Sequence, residues 1–562
     1  MVDTQKKKVV VIGAGVGGVA TAARLAKAGL QVSVYEKNDF HGGKCSNIVH
    51  NGYRFDRGAS IMLMTEVFEE TFHHLGTCMS SEGIDLLKCE PNCNVWFQDG
   101  DCFATSTDIA HMKRQIEKVE GSKGFDRFIA FLQESQSHYE KSVIHVLKKD
   151  FPSFLSLLRP AFLPYLFRLH PFHSVWQRAA NFFRSHKLRQ VFTLGSMYLG
   201  MSPFETPGTY TLLQYAELAG GIWYPRGGFH RVVDSLVEIG TRLGVKYHLS
   251  QPVKEVAISP DGKAFGVLLD ADRFVEADAV VINADLLYAH RALLPSNLPG
   301  QAGLDRGKDI SCSSISFYWS LSKKVPQLET HNIFVEDSFG QLSPQIYMKR
   351  QSLLKPSFYV HVPSRIDPSA APAGKDAVIV LVLVENLGGS DPMNSPSEKN
   401  GITKLVAAAR KHVIFSIEKR TGSVGFKKLI EHEITNTPLT WQETFNSERG
   451  GIFGLDHSFF NILSFRPKIR PDNFDGIYFV GASTHPGAGV PTCLAGASLT
   501  AQRVLSDLEV PIPWESRNPK INQVGSQYST NNLFVQSLGK RLFFTIVLYM
   551  AIGIALGTLW AI

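Results

Sequence analysis

Between Val9 and Glu36 the chain reads VVVIGAGVGGVATAARLAKAGLQVSVYE, with Gly13, Gly15 and Gly18 at the spacing that cradles a dinucleotide. An apolar run, Val9–Ile12, enters the pattern, and an Ala-rich amphipathic stretch, Gly29 and a second β-branched run follow it. Gly13 allows a tight turn, Gly15 lets backbone approach a pyrophosphate, and Gly18 lets helix lie close on strand. The helix N-terminus offers free N–H groups and the positive end of its dipole to phosphates. Glu36, closing the second strand, can accept hydrogen bonds from both hydroxyls of a ribose. Lys6–Lys8 ahead of an apolar run also fits a secretory signal, but glycines break that run and it continues into a charged helix.

Three other stretches carry glycines where chemistry needs close backbone. Phe40–Ser60 reads FHGGKCSNIVHNGYRFDRGAS, and Gly42, Gly43 and Gly58 suggest main chain lying against a ligand. Gly220–Val233 reads GGIWYPRGGFHRVV, a paired-glycine turn that opens a helix. Gly476–Ala497 reads GIYFVGASTHPGAGVPTCLAGA: a short strand, a glycine loop, then a helix beginning near Pro491, where proline suits the first turn. That helix would aim its N-terminus at an anionic partner, and a flavin, which gains charge on reduction, is the natural one.

The elements around these motifs fit a large globular enzyme. The 562 residues allow two or three domains, with 44% hydrophobic and 19% charged residues. A net charge of +7 is mild for this length and no basic block suggests a nucleic-acid channel. The seven cysteines form no C-x-x-C pair, so a zinc site or disulfide framework is not expected, no metal is expected, and reduced thiols in a cytosolic setting are the plain reading. Strands are expected near Asn94–Phe103, at Val245–Leu249, Val253–Ile258, Phe265–Leu269, Ala277–Asn283, Ser313–Trp319, Phe358–Val362 and Ala377–Val384, with a helix from Gly401 to Arg420. Phe151–Trp176 is rich in Phe and Leu but holds four prolines and two arginines, which excludes a spanning helix. It reads either as amphipathic pieces in a membrane interface or as a cap over an internal apolar pocket.

Leu542–Ile562 carries no charge and would run about 30 Å as a helix, one hydrocarbon thickness. Lys540 and Arg541 precede it and Trp560 lies near its far end, so a single-pass C-terminal anchor with the catalytic part facing the cytosol is expected. Gly553 and Gly557 would let two such helices touch, which leaves a homo-oligomer open. The chain then divides into cofactor-binding parts at 1–135, 216–300 and 441–508, a helical substrate- and membrane-facing subdomain at 136–215, a substrate-binding sheet domain at 301–440, a linker at 509–541 and the transmembrane helix at 542–562.

Together these stretches resemble the carotenoid-desaturase branch of the FAD-dependent amine-oxidase-like flavoproteins, nearest to its fungal-type phytoene desaturases. The resemblance runs from Val9 to about Leu508 and is most specific at Gly220–Val233, Ser357–Asp376 and Tyr478–Ala497. It implies an α/β fold, with a Rossmann-like FAD-binding domain interleaved with a mixed-sheet substrate domain and a helical membrane-facing subdomain. By resemblance, Gly13, Gly15, Gly18 and Glu36 bind the ADP half of FAD. Gly42, Gly43, Lys44 and Ser46 line flavin and phosphates, the Val253 backbone meets adenine, and Gly481, Gly489, Val490 and Pro491 lie beside the isoalloxazine. Lys44 stands where the family usually has arginine, Ala59 for a usual proline and Ala488 for a usual threonine, and Thr492 and Cys493 also depart from the common pattern.

The implied reaction takes hydride from an allylic carbon of a C40 carotene, phytoene, drawn from the bilayer, with a proton lost from the neighbouring carbon and quinone or oxygen as final acceptor. Candidate proton acceptors are Glu205, Glu217 and His485. Between Tyr215 and Leu218, Glu217 reads more readily as a surface helix position, and His485 equally as a structural loop histidine. A carotene isomerase or another apolar-substrate oxidase would use the same scaffold. The prenyl-binding GDP-dissociation inhibitors and Rab escort proteins share the glycine fingerprint without catalysis.

Overall fold

The computed structural model describes residues 6–160, 162–166, 168–295, 309–336, 355–388 and 396–515. Lys8–Ile12 becomes the middle strand of a five-stranded parallel sheet, as its unbroken apolar character demands of a strand covered on both faces. The order is Ile477–Phe479, Ala279–Ile282, Lys8–Ile12, Gln31–Tyr35, Lys246–His248. Val10 lies opposite Val280 on one side and Ser33 on the other. Stretches far apart in sequence thus build one sheet, and the strand ends converge. The helix Val16–Lys27 returns the chain between the first two strands and is buried from Val16 to Ala26. Its Gly and Ala residues let the helices Val490–Asp507 and His230–Arg242 pack against it.

A second, seven-stranded sheet runs in the order Ile430–Asn436, Ser313–Leu321, Asp376–Val384, Phe358–His361, His331–Phe334, Cys93–Trp96, Cys102–Thr105. It is antiparallel except where His331–Phe334 pairs parallel with Cys93–Trp96, so it is mixed as expected. Ile430–Asn436 was not anticipated, because its IEHEITN sequence keeps charged side chains exposed along a one-sided edge strand. A three-stranded antiparallel sheet, Val253–Ile258, Ala264–Leu269 and Phe274–Glu276, turns at Pro260–Gly262. The expected helix after Gly401 starts earlier, at Pro396, and ends at Thr421.

Phe151–Trp176 forms short helical turns, Phe154–Leu158 and Leu163–Leu166, broken by its prolines. Phe151, Phe162 and Leu169 are buried together, while Phe154, Leu155 and Phe172 are 60%, 75% and 70% exposed. One face of the segment therefore caps the interior and the other meets solvent.

The chain falls into two units, Met1–Pro511 and Ile512–Ile562, and only 512–515 of the second are described. The expected C-terminal anchor is corrected here: no helix among the described residues is long and apolar enough to cross a membrane. Leu542–Ile562, with Gly553 and Gly557, lies outside the described residues. Apolar length and its basic and aromatic flanks carried that expectation.

Candidate functional site

Ligands of open parallel sheets bind beyond the carboxyl ends of the strands. Here Ile12, Tyr35, Ile282 and Phe479, all at such ends, line one cavity of about 360 Å³. The first turn of Val16–Lys27 opens into it: Gly15, the N-cap, supplies no side chain, and Gly15, Val16 and Gly17 are on the wall. Their N–H groups are the ones a helix leaves without partners. Glu36, 7% exposed, reaches the same wall. Its carboxylate accepts from the Ala14 N–H at 2.8 Å and from the Asn38 N–H and Nδ2 at 2.9 Å each.

The second glycine motif closes the cavity from another side. Gly42 has φ +97° and pairs in a parallel bridge with Gly15, donating its N–H to the Ala14 carbonyl at 2.8 Å. Behind it, His230 Nδ1 lies 3.1 Å from the Cys45 carbonyl, and His230 Nε2 and His41 Nε2 lie 3.1 and 2.8 Å from one Asp234 oxygen. This cluster braces the loop from outside. Lys44 Nζ donates to the carbonyls of Gly451 and Ile452 at 3.1 and 3.0 Å, and burial pushes it down to about 8, with Asp285 raising it in part.

Of the residues expected at a cofactor, Gly13, Gly15, Glu36, Gly42, Gly43, Lys44, Val253, Gly481, Gly489 and Val490 come together on this wall. Gly18 lies behind it against the strand, Ser46 is buried off the wall, and Pro491 faces a second cavity. Two positions escaped the sequence. Asp285 lines the cavity and caps the turn after it, accepting from the N–H groups of Leu287 and Tyr288. Arg466, 2% exposed, donates to the carbonyls of Leu455, Asp456, Asn461, Ala482 and Thr484, gathering the glycine loop into shape. No local motif marks an arginine whose partners are all main chain.

The second cavity, about 320 Å³, is lined chiefly by apolar side chains. Phe162, Leu169 and Pro171 of the proline-rich segment form part of its wall, beside Leu213, Leu383 and Leu463. Ala59, Leu381, Phe453, Ala488, Gly489 and Val490 line both cavities, so the two adjoin along a seam. Both alanines that depart from the family pattern sit on that seam.

The three candidate acid–base residues separate. Glu205 is exposed and lines neither cavity. His485 faces the apolar cavity, but its Nε2 is held 3.1 and 2.9 Å from the carbonyls of Val146 and Lys149, and burial pushes the ring down to about 4, against the raising effect of those carbonyls. Glu217, read from sequence as a surface position, is instead 4% exposed. The helix around it gives way to a wider turn at Ala216–Gly220, which carries its side chain inward to the hydroxyls of Thr105 and Tyr198.

The family of flavin containing amine oxidoreductases matches residues 16–505. The chain is 50% identical over 552 residues to a phytoene desaturase of Fusarium fujikuroi, covering 95% of this chain and 96% of that one. It is 35% identical over 510 residues to a zeta-carotene-forming phytoene desaturase of Myxococcus xanthus, covering 90% and 95%. Among solved structures, a putrescine oxidase overlays with TM-score 0.60 at 16% identity, covering 90% of this chain and 99% of that one, which speaks to the fold alone. The chain belongs to the flavin containing amine oxidoreductases, in the carotenoid-desaturase group, and it is an FAD-dependent oxidoreductase.

Proposed function

We propose that this chain introduces conjugated double bonds into phytoene, with the thirteen residues from Gly13 to Pro491 named above as its FAD site. The observation that carries this reading is the seam: a glycine-lined cavity at the strand ends adjoins a chiefly apolar cavity whose lining holds no Lys, Arg, Asp or Glu among the described residues. Identity of 50% to the Fusarium fujikuroi phytoene desaturase supports the substrate.

The residues fit FAD. The helix N-terminus at Gly15–Gly17 is uncapped and has no acidic residue in its first turn, which suits a pyrophosphate. Glu36 uses three of about four carboxylate lone-pair sites on the chain itself, leaving room for a ribose hydroxyl. Ser46 Oγ is buried without a partner. Bound FAD supplies a two-electron acceptor for hydride. The chain's part is to hold a hydrocarbon along Leu213, Leu383 and Leu463, present it at the seam, and exclude water. In this reading 1–135, 216–300 and 441–508 hold the cofactor, while 136–215 and 301–440 shape the substrate cavity together with Ile61, Leu63 and Leu463 from the cofactor-binding parts.

Phytoene dissolves in lipid rather than water, and the exposed Phe154, Leu155, Phe172 and Phe460 adjoin the segment that walls the apolar cavity. We infer that this face meets the bilayer surface from which substrate enters. The reading is tested with purified, flavin-loaded protein and phytoene in phosphatidylcholine vesicles, under oxygen and then anaerobically with a quinone. Loss of hydrogen and a rising polyene spectrum are expected, and the condition that sustains turnover identifies the acceptor. Geometric isomerisation without loss of hydrogen would overturn it.

A further inference from the structure

Turning a CH–CH unit into C=C releases a hydride and a proton, and the redox chemistry accounts only for the hydride. Resting on the desaturase reading, we propose that Tyr198, backed by Glu217, takes the proton. The C–H bond breaks and its electron pair becomes the new π bond. An O–H bond forms on Tyr198 as its former one breaks, and that proton passes to Glu217, which ends as a carboxylic acid.

Tyr198 is the only one of the pair to reach the apolar cavity; its hydroxyl donates to Glu217 Oε2 at 3.1 Å. Glu217 lies behind the wall, its Oε1 accepting from Thr105 Oγ1 at 3.0 Å. The Asn92 amide donates to its backbone carbonyl at 2.9 Å, which fixes the turn that carries it. Cys93 and Tyr359 are the other titratable groups nearby, and among the described residues no lysine, arginine or histidine pairs with the carboxyl. A buried carboxylate held only by hydroxyls has no cation to offset the cost of its charge, so taking up a proton relieves that cost. Burial raises it above the usual carboxylate range, against the lowering from Thr105 and Tyr198. Tyr198 itself is raised well above a free phenol by burial and by Glu217, so it passes a proton on rather than resting as phenolate.

A second tyrosine on the same wall sharpens the choice. Tyr359 Oη lies 3.0 Å from Ser60 Oγ and 2.6 Å from His331 Nδ1. His331 is wholly buried, stacked on His361 at 4.9 Å, and both burial and that neighbour push it well below an ordinary imidazole. A proton on His331 would create a charge in the interior, whereas a proton on Glu217 removes one.

The test uses the full flavin-loaded chain with phytoene in phosphatidylcholine vesicles. Tyr198→Phe removes only the hydroxyl, and Glu217→Gln keeps the size and an acceptor for Tyr198. Each should lower kcat about 100–10,000-fold with KM little changed, as loss of a proton acceptor does. The double variant should be no slower than the worse single one. The acid limb of the wild-type rate, set by Glu217, should vanish in Glu217→Gln. Without substrate, infrared difference spectra on acidification should show a buried carboxylic-acid band in the wild type that Glu217→Gln lacks. Should Glu217→Gln fail to fold, Tyr198→Phe decides alone. Wild-type turnover and pH profile in Tyr198→Phe would overturn the relay, as would losses that multiply in the double variant. An inactive wild-type chain would instead overturn the desaturase reading.

Discussion

A side-chain carbon placed on Gly18 would lie 2.2 Å from the carbonyl oxygen of Gly13. The first helix therefore rests on the glycine turn at a distance no larger residue permits. Gly18→Ala must push helix from strand and spread the mouth of the cofactor cavity. Overpacking of this kind costs about 1–3 kcal/mol. A lower melting temperature and a reduced flavin-to-protein absorbance ratio are expected, and a variant that melts and binds flavin like the wild type would contradict the packing described.

Glu36 faces three donors on its own chain, the N–H groups of Ala14 and Asn38 and the Asn38 amide. Glu36→Gln replaces one acceptor oxygen with an NH2 group, which sets donor against donor and leaves less for a ribose. Hydrogen bonds to a charged acceptor are worth about 1.5–3 kcal/mol, so FAD affinity should fall by roughly 10–100-fold. Titrating apo-protein with FAD and following quenching of flavin fluorescence measures it.

These two sites were the parts most legible in the sequence, because a βαβ unit compresses its ligand chemistry into one short stretch with fixed spacing. The long strands Ser313–Leu321 and Asp376–Val384 were legible too, the second as an apolar run from Ala377 to Val384 and the first as β-branched and aromatic residues set among small serines, both buried along almost their whole length. The edge strand Ile430–Asn436 was not, as nothing apolar repeats along it. Glu217 was misplaced because its inward aim comes from a local widening of the helix, which shifts the face of every following residue without a change in composition. Arg466 was invisible because its partners are carbonyls, and carbonyls leave no trace in residue types. Where several distant segments share a wall, as at the seam, periodicity within any one of them says nothing.

Ala488 and Ala59 keep the side-chain bulk at that seam small. Ala488→Thr adds a methyl and a hydroxyl where the two cavities adjoin, at a position only 6% exposed. A polyene should then be presented less readily at the seam. Flavin content should be kept, while the pigment mixture shifts toward fewer conjugated double bonds on chromatography. An unchanged mixture would remove the seam from control of product length.

Phe154 and Leu155 stand on the outward face of the segment whose inner face walls the apolar cavity. Their transfer from water into a lipid surface is worth about 1.5–3 kcal/mol each at full burial. Replacing both by serine should weaken sedimentation with phosphatidylcholine vesicles at least roughly tenfold on that scale. Folding should be kept, because neither side chain contributes to a buried cluster. Equal sedimentation of variant and wild type would place the lipid contact elsewhere.

His485 sets an acid limit on stability. Its ring is held at about 4 by burial, with Arg466 and Arg159 adding to the effect and the carbonyls of Val146 and Lys149 opposing it. An unfolded chain protonates the same ring near 6.5. As pH falls from 6.5 toward 4 the unfolded state binds a proton that the native state refuses, so stability drops through that window and levels off below it. Above 6.5 the ring is neutral in both states and contributes no slope. The full drop is about 3 kcal/mol from this one group. His138, 1% exposed and also held at about 4, adds a second drop over the same range. His485→Gln keeps an N–H donor for the two carbonyls but cannot titrate, so its urea midpoint should fall less between pH 6.5 and 4.5 than that of the wild type. Identical slopes would mean that the ring takes up its proton in the native state, and that its bonds to Val146 and Lys149 do not hold it neutral.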